Sequence, residues 1–362
     1  MKSNELLMIY GTEYKEMAKQ LLEAADLAGR IPDAGSRIGL KPNLVSPSEA
    51  SWGATTHPEI AAGTIEYLKE HGFENLVILE GSWVGDKTAD AFEVCGYDRL
   101  VREYGVEFID TQKDSFHTKD CAGMELEICD SVEHLDFLIN LPVLKGHCQT
   151  VMTCALKNCK GCLPDKEKRR FHSEGLQKPI AALGAYLKPQ LTIVDSICGD
   201  LNFEEGGTPI YTNRMYLGTD PVQIDAYGCM LMGLNLSQVP YIKMAEQFGG
   251  GSTAVSEADI VKLNEPEASA SYPAPSGTVA SLTKNVRQDS ACSACYASLV
   301  RALYNAKRSG VRVTAPIYIG QAFQGQSLDG IGIGRCCSGA SCPVKGCPPT
   351  AEAILAVLKG QE

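Results

Sequence analysis

Phe137-Leu138-Ile139-Asn140-Leu141-Pro142-Val143-Leu144-Lys145-Gly146-His147 runs from a short apolar stretch, through a proline, into a lysine and a histidine flanking a glycine. An aliphatic run of this length, closed by a turn residue, reads as a buried strand. The same figure recurs at Leu6–Tyr10, Arg37–Leu40, Leu76–Leu79 and Leu191–Val194. Arg37–Leu40 empties into Lys41-Pro42-Asn43, Leu76–Leu79 into Glu80-Gly81-Ser82, and Leu191–Val194 into Asp195. Helical patterns lie between them. Met17, Leu21, Ala25 and Ala28 share a stripe that stops at Gly29; His57-Pro58 opens a helix through Ile60, Thr64 and Leu68 to Gly72; Pro221 begins one carrying Ile224, Asp225 and Met230. The alternation predicts an α/β fold, a mostly parallel sheet flanked by helices. Ligands of such sheets bind outside the carboxyl ends of the strands, which is where the polar signatures fall.

Length and charge bound the rest. With 362 residues and 44% hydrophobic content the chain buries a full core, expected as one large domain and one small one. A net charge of −11 argues against nonspecific binding to nucleic acid or an anionic membrane. No apolar run is long enough to span a bilayer, and the amino terminus lacks signal-peptide anatomy. Fifteen cysteines without an export signal point to a reducing, cytoplasmic compartment. Between Glu265 and Gly277 the composition shifts to Pro, Ala and Ser. The expected domains are therefore 1–262, a linker 263–284, and 285–362. The last is expected to be a small α/β module with helix Tyr296–Arg308, strand Ala315–Gln321 and helix Thr350–Leu358.

Six cysteines crowd that module: Cys292 and Cys295 as a C-x-x-C pair, then Cys336, Cys337, Cys342 and Cys347 followed by two prolines. Thiolates are soft ligands that select zinc, copper(I) or iron–sulfur clusters, and a C-x-x-C pair with a distant Cys-Pro suits a [4Fe–4S] cluster. Structural zinc and disulfides are the competing readings. A zinc ribbon usually offers two C-x-x-C knuckles, and disulfide scaffolds suit smaller secreted chains. The expected ligands are Cys292, Cys295, Cys336 and Cys347, with Cys337 and Cys342 as alternates. Gly330, Gly332 and Gly334 let backbone approach a bulky cluster.

The densest polar chemistry is Lys145-Gly146-His147, Lys157-Asn158, Gly161, Lys168 and His172. From Lys145 to Lys178 eight Lys/Arg stand against three Asp/Glu, a basic island suited to a small anionic ligand. Lysines supply charge, an asparagine supplies a donor and an acceptor, and a histidine shuttles protons near neutral pH. Lys145, His147 and His172 are the expected catalytic groups, with Lys41, Asn43, His57, Lys157 and Asn158 binding ligand; the competing reading is a solvated basic loop. Cys148, Cys154, Cys159 and Cys162 lie inside this island, as a second cluster or as small buried side chains.

Lys41-Pro42-Asn43-Leu44, Thr56-His57-Pro58, Lys145-Gly146-His147, Lys157-Asn158 with Gly161, His172, Asp195 and Asp220-Pro221 with Asp225 together resemble the domain-of-unknown-function 362 family, over roughly residues 35 to 235. The family name brings no activity, but its members are often fused or paired with iron–sulfur segments. More distantly the pattern is similar to the lactate-racemase family, in which a histidine-bearing α/β domain handles a 2-hydroxy acid on a nickel cofactor; this implies an anionic, carboxylate-like ligand. Gly346-Cys347-Pro348-Pro349 is similar to the cluster-binding ends of hydrogenase and respiratory complex I small subunits, one of which uses tandem cysteines comparable to Cys336-Cys337. The resulting expectation is a redox protein coupling a [4Fe–4S] cluster to a small anionic metabolite, served by a ferredoxin-like electron partner. A non-redox isomerase or lyase of a small carboxylate, and a non-catalytic electron carrier or metallocentre-assembly factor, are the alternatives.

Overall fold

The computed structural model describes residues 1, 2, 4–201, 204, 206, 209–266, 281–289, 291 and 293–360. Most of the expected linker, and Cys292, lie outside them. The chain divides into two compact units, Met1–Lys168 with Gln177–Pro275, and Arg169–Leu176 with Ser276–Glu362. Reading along the chain assigns 169–176 to the α/β domain, whereas here this stretch groups with the second unit.

In the first unit the main strands are β1 (Leu6–Tyr10), β2 (Ile38–Pro42), β3 (Leu76–Glu80), β4 (Glu107–Asp110), β7 (Phe137–Leu141), β10 (Leu191–Asp200), β11 (Pro209–Gly218) and β12 (Ile260–Lys262). They form one sheet in the order β12-β1-β11-β10-β7-β2-β3-β4. β10, β7, β2, β3 and β4 run parallel, and β11 is antiparallel to both its neighbours. Every residue of β2, β3, β7 and β10 is buried, as central parallel strands covered on both faces require. β4, at the sheet edge, is only half-buried. Two small hairpins complete the β structure, β5 (Phe116–Cys121) with β6 (Met124–Cys129) and β8 (Lys145–His147) with β9 (Val151–Thr153).

The helices of this unit are α1 (Tyr14–Ala24), α2 (Pro58–Glu70), α3 (Thr88–Val94), α4 (Tyr97–Tyr104), α5 (Asp130–Glu133), α6 (Ala155–Asn158), α8 (Gln177–Leu187), α9 (Pro221–Leu231) and α10 (Pro240–Gln247); α7 (Asp165–Glu174) crosses the boundary between units. α1 and α2 press their apolar faces on the sheet through Met17, Leu21, Leu22, Ile60, Ile65 and Leu68. Each such aliphatic side chain contributes roughly 1.5–3 kcal/mol on burial. Pro221 begins α9, and Asp220 caps it by accepting from the amides of Val222 and Gln223 at 2.8 and 3.0 Å.

The second unit carries a four-stranded parallel sheet, β13 (Val286–Gln288), β14 (Ile317–Ile319), β15 (Leu328–Ile333) and β16 (Ala340–Val344), in that order. Helices α11 (Ser293–Arg308) and α12 (Ala351–Lys359) pack Leu299, Leu303, Ile354 and Leu358 against Ile317, Ile319, Ile331 and Ile333. Thr350 caps α12 through the Ala353 amide. The expected separate α/β module with its two helices is present. Among the described residues no helix is long and apolar enough to cross a membrane.

Candidate functional site

The carboxyl ends of β2, β3, β7 and β10 gather the polar motif residues of the first unit, and most of them turn out to brace one another. Lys41, at the end of β2, is fully buried; its ammonium pairs with Glu80 of β3 and donates to the Pro42 carbonyl at 2.9 Å. Lys168 reaches the same corner and donates to the carbonyls of Gly81 and Ser82 at 3.0 and 3.1 Å. Gly161 is a glycine for a visible reason: a Cβ there would fall on Glu80 Oε1 and Lys41 Nζ. Asn158 donates to Asn140 Oδ1 at 2.7 Å and to the Lys41 carbonyl at 3.2 Å, tying α6 to β7 and β2. Asp225 of α9 holds the start of α6, accepting from the amides of Ala155 and Leu156 at 2.6 and 3.3 Å, and burial pushes its carboxyl up to about 7.

Lys145, on β8, donates to the carbonyls of Ala54 and Glu204, both at 2.5 Å, and lies 3.4 Å from Asn43 Oδ1. Lys145 and Asn43 are thus brought together, but the ammonium serves protein carbonyls rather than an open pocket. Lys41 is likewise committed to Glu80.

His57 forms a buried pair with Asp195, midway along β10. Its ring Nδ1 and its own amide each lie 2.8 Å from Asp195 Oδ2. Burial alone lowers the imidazole pKa, but the Asp195 charge and hydrogen bond, helped by Cys198, raise it to about 10. A folded-state value above the ordinary histidine value means stability that is fully present below about pH 6.5 and lost as pH rises towards 10. The midpoint of thermal unfolding should therefore decline across that window, and His57→Gln should remove this part of the slope, worth on the order of 2 kcal/mol or more. Parallel pH slopes for the two proteins would show that the pair is not charged.

His147 is placed for proton handling. Its Nδ1 accepts from the backbone amides of Gln149 and Thr150 at 3.0 and 3.2 Å. In the neutral ring that leaves the proton on Nε2, which stands 3.5 Å from Glu204 Oε1. Glu204 also takes the Cys148 thiol at 3.3 Å and the Cys148 amide at 3.2 Å. His147, Cys148 and Glu204 offer three donor atoms within 4.8 Å of one another, a set able to hold a metal ion. The amide bonds to Nδ1 weigh against that use, because a metal-bound histidine normally donates from its second nitrogen. As it stands Glu204 accepts from the Cys148 amide and thiol, with the His147 ring beside it.

Lys157, half-buried at the end of α6, has burial lowering its pKa to about 8 against the pull of Glu204 and Cys148. It is the expected ligand-binding lysine that remains available beside this trio. His172 falls within 169–176, in the second unit. Cys154, Cys159 and Cys162 are buried, with thiol pKa values raised by desolvation, to about 12 for Cys162. Cys154 meets Tyr216 Oη at 3.6 Å and Cys159 the Ala155 carbonyl at 3.6 Å, packing as small side chains do. Glu204 escaped sequence reasoning. It lies 59 positions from Lys145 in no motif, and the acidic run around it carries no periodic signal.

In the second unit Cys295, Cys336 and Cys347 line one pocket together with Gly320, Ile333 and Gly334. Three segments deliver them: the first turn of α11, the loop after β15 and the loop after β16. Backbone bonds pin the two loops together, from the Gly334 amide to the Val344 carbonyl and from the Arg335 amide to the Gly346 carbonyl, each 2.9 Å. Gly334 lies beside Cys295 Sγ, and its φ of 80°, a conformation that side chains rarely adopt, is what calls for glycine there. Thiolates at a helix N-terminus and on glycine-rich loops fit an iron–sulfur cluster. Cys337 points elsewhere. It is buried, its thiol donates to the Gly320 carbonyl at 3.8 Å, and burial raises its pKa. Cys342 sits on β16 against the module's apolar core, outside the pocket lining.

Over 252 residues the chain is 25% identical to the thylakoid-associated protein sll1697 of Synechocystis sp. (strain ATCC 27184 / PCC 6803 / Kazusa), covering 65% of this chain and 75% of that one. Among solved structures it is similar to the lactate racemase apoprotein of Thermoanaerobacterium thermosaccharolyticum, with a TM-score of 0.42 and 12% identity, covering 65% of this chain and 59% of that one. The family described as Domain of unknown function (DUF362) matches residues 38–230, more than half of the sequence, and the chain belongs to that family.

Proposed function

We propose that the chain is an iron–sulfur redox protein of a reducing, cytoplasmic compartment, in which a [4Fe–4S] cluster in the second unit is coupled to a small anionic ligand of the first. The observation that carries this reading is the convergence of Cys295, Cys336 and Cys347 on one pocket. Cys292, three residues before Cys295 in the sequence, is the fourth ligand in the proposal. When bound, such a cluster supplies single electrons at a potential set by its surroundings.

The other residues act on the ligand. The Lys157 ammonium attracts its anionic group, each charge-assisted bond being worth on the order of 1.5–3 kcal/mol. The His147 Nε2–H donates a hydrogen bond to the ligand, and the Glu204 carboxylate takes the proton and gives it back. Anaerobically purified protein is expected to be brown, with about four irons and matching sulfide per chain. A colourless protein holding stoichiometric zinc would end the proposal.

The same acid–base trio also suits an isomerase or lyase that needs no electrons. Turnover indifferent to the redox state of the cluster would favour that second reading.

A further inference from the structure

A groove of about 380 Å3 lies alongside the cysteine pocket, lined by Arg335, Ser338, Pro343, Val344, Lys345 and Cys347. Cys347 and Arg335 line both cavities. Arg335, Lys345 and Cys347 are all exposed, so two cations and a sulfur of the proposed cluster share one open surface. Pro343 and Val344 give that surface apolar walls. From residue 285 onward eight basic residues stand against four acidic ones, in a chain whose formal net charge is −11. This part of the molecule therefore attracts what the rest repels.

We infer that this groove is the docking surface for an acidic one-electron carrier protein, which passes its electron in beside Cys347. The inference rests on the proposed cluster and names its partner. Charge complementarity selects the occupant: carboxylates on the partner meet Arg335 and Lys345, steering encounter, while the apolar walls take the contact beneath. The step balances simply. One electron leaves the reduced centre of the carrier, which is oxidised, and the [4Fe–4S] cluster is reduced by one electron; no proton or atom changes hands.

The test uses the full-length holoprotein and plant-type ferredoxin as the acidic probe. Two quantities are measured between about 0.01 and 0.1 M salt, over which the screening length falls from about 30 to about 10 Å. One is the affinity of the two oxidised proteins by calorimetry, the other the stopped-flow rate of reduction by reduced ferredoxin. Arg335→Glu with Lys345→Glu is expected to weaken binding and slow reduction about tenfold or more at low salt, and to flatten the salt dependence. Reduction by methyl viologen radical cation should not slow.

If ferredoxin binding and rate stay within about twofold of the parent, the docking site is wrong. An equal loss from Lys2→Glu with Lys113→Glu would overturn it too, by showing that net charge alone matters. Slowing of both reductants alike would place the effect in the cluster and overturn docking. Absence of iron from the holoprotein preparation would remove the cluster reading and this inference together, whereas iron present with ferredoxin unaffected removes only this one.

Discussion

Cys295→Ala, Cys336→Ala and Cys347→Ala, made singly, are each expected to take the anaerobically purified protein from about four irons per chain to almost none, while Cys342→Ala keeps its iron. The three share one pocket, and a cube of four irons with one thiolate removed has an unprotected corner open to water and oxygen. Cys292→Ala should behave like the first three, because a C-x-x-C pair supplies both of its sulfurs to one centre. Cys337→Ala tests a different property. Its thiol is buried against the Gly320 carbonyl, so the change should lower thermal stability by about 1 kcal/mol and leave the visible spectrum unaltered. Iron, sulfide and absorbance on all six variants decide the ligand set. Equal loss from every one would mean that the pocket is held by packing of the whole module and that no ligand assignment is possible from it.

Glu80→Ala is expected to be the most damaging single change in the first unit. The carboxylate sits between β2 and β3, paired with Lys41, and Lys168 arrives at the neighbouring Gly81 and Ser82 carbonyls. Removing it strands the Lys41 ammonium where water cannot reach, which costs about 3–5 kcal/mol. That is a large part of the stability of an ordinary domain, so the variant should unfold at much lower urea or aggregate on expression. The double change Glu80→Leu with Lys41→Met, which removes both charges and keeps their volume, should recover most of the loss. A Glu80→Ala protein as stable as the parent would show that the lysine finds water or another partner.

The central sheet was legible because its strands are buried on both faces and therefore written as unbroken apolar runs, Leu76–Leu79 and Phe137–Leu141 among them. The two hairpins were not. β5 reads Phe116-His117-Thr118-Lys119-Asp120-Cys121, and half-exposed polar residues in that order give neither period. β11 is mostly buried, yet Thr212, Asn213 and Arg214 interrupt its apolar run.

Which residues gather at the strand ends was legible in the sequence, and what each holds there was not. Lys145, Asn158 and Asp225 announce themselves by type and spacing, but a hydrogen bond to a distant carbonyl leaves no trace in sequence. Lys145 thus looked like a ligand group while it holds Ala54 and Glu204. Among the C-terminal cysteines, the C-x-x-C and Cys-Pro spacings mark Cys295 and Cys347, which line the pocket, but nothing in the tandem Cys336-Cys337 tells which of the two faces it. The packing that decides it is purely three-dimensional.

The second unit is made from two stretches of chain, 169–176 and 276–362, with roughly a hundred residues of the first unit between them. During synthesis, at about 5–20 residues per second, the earlier stretch waits some 5–20 s for the first residues of the later one. Phe171, buried in the finished protein, belongs to that earlier stretch. A chain halted at Pro275 thus holds the whole first unit and only eight residues of the second. Slow codons between 177 and 275 lengthen that wait, and fast ones shorten it.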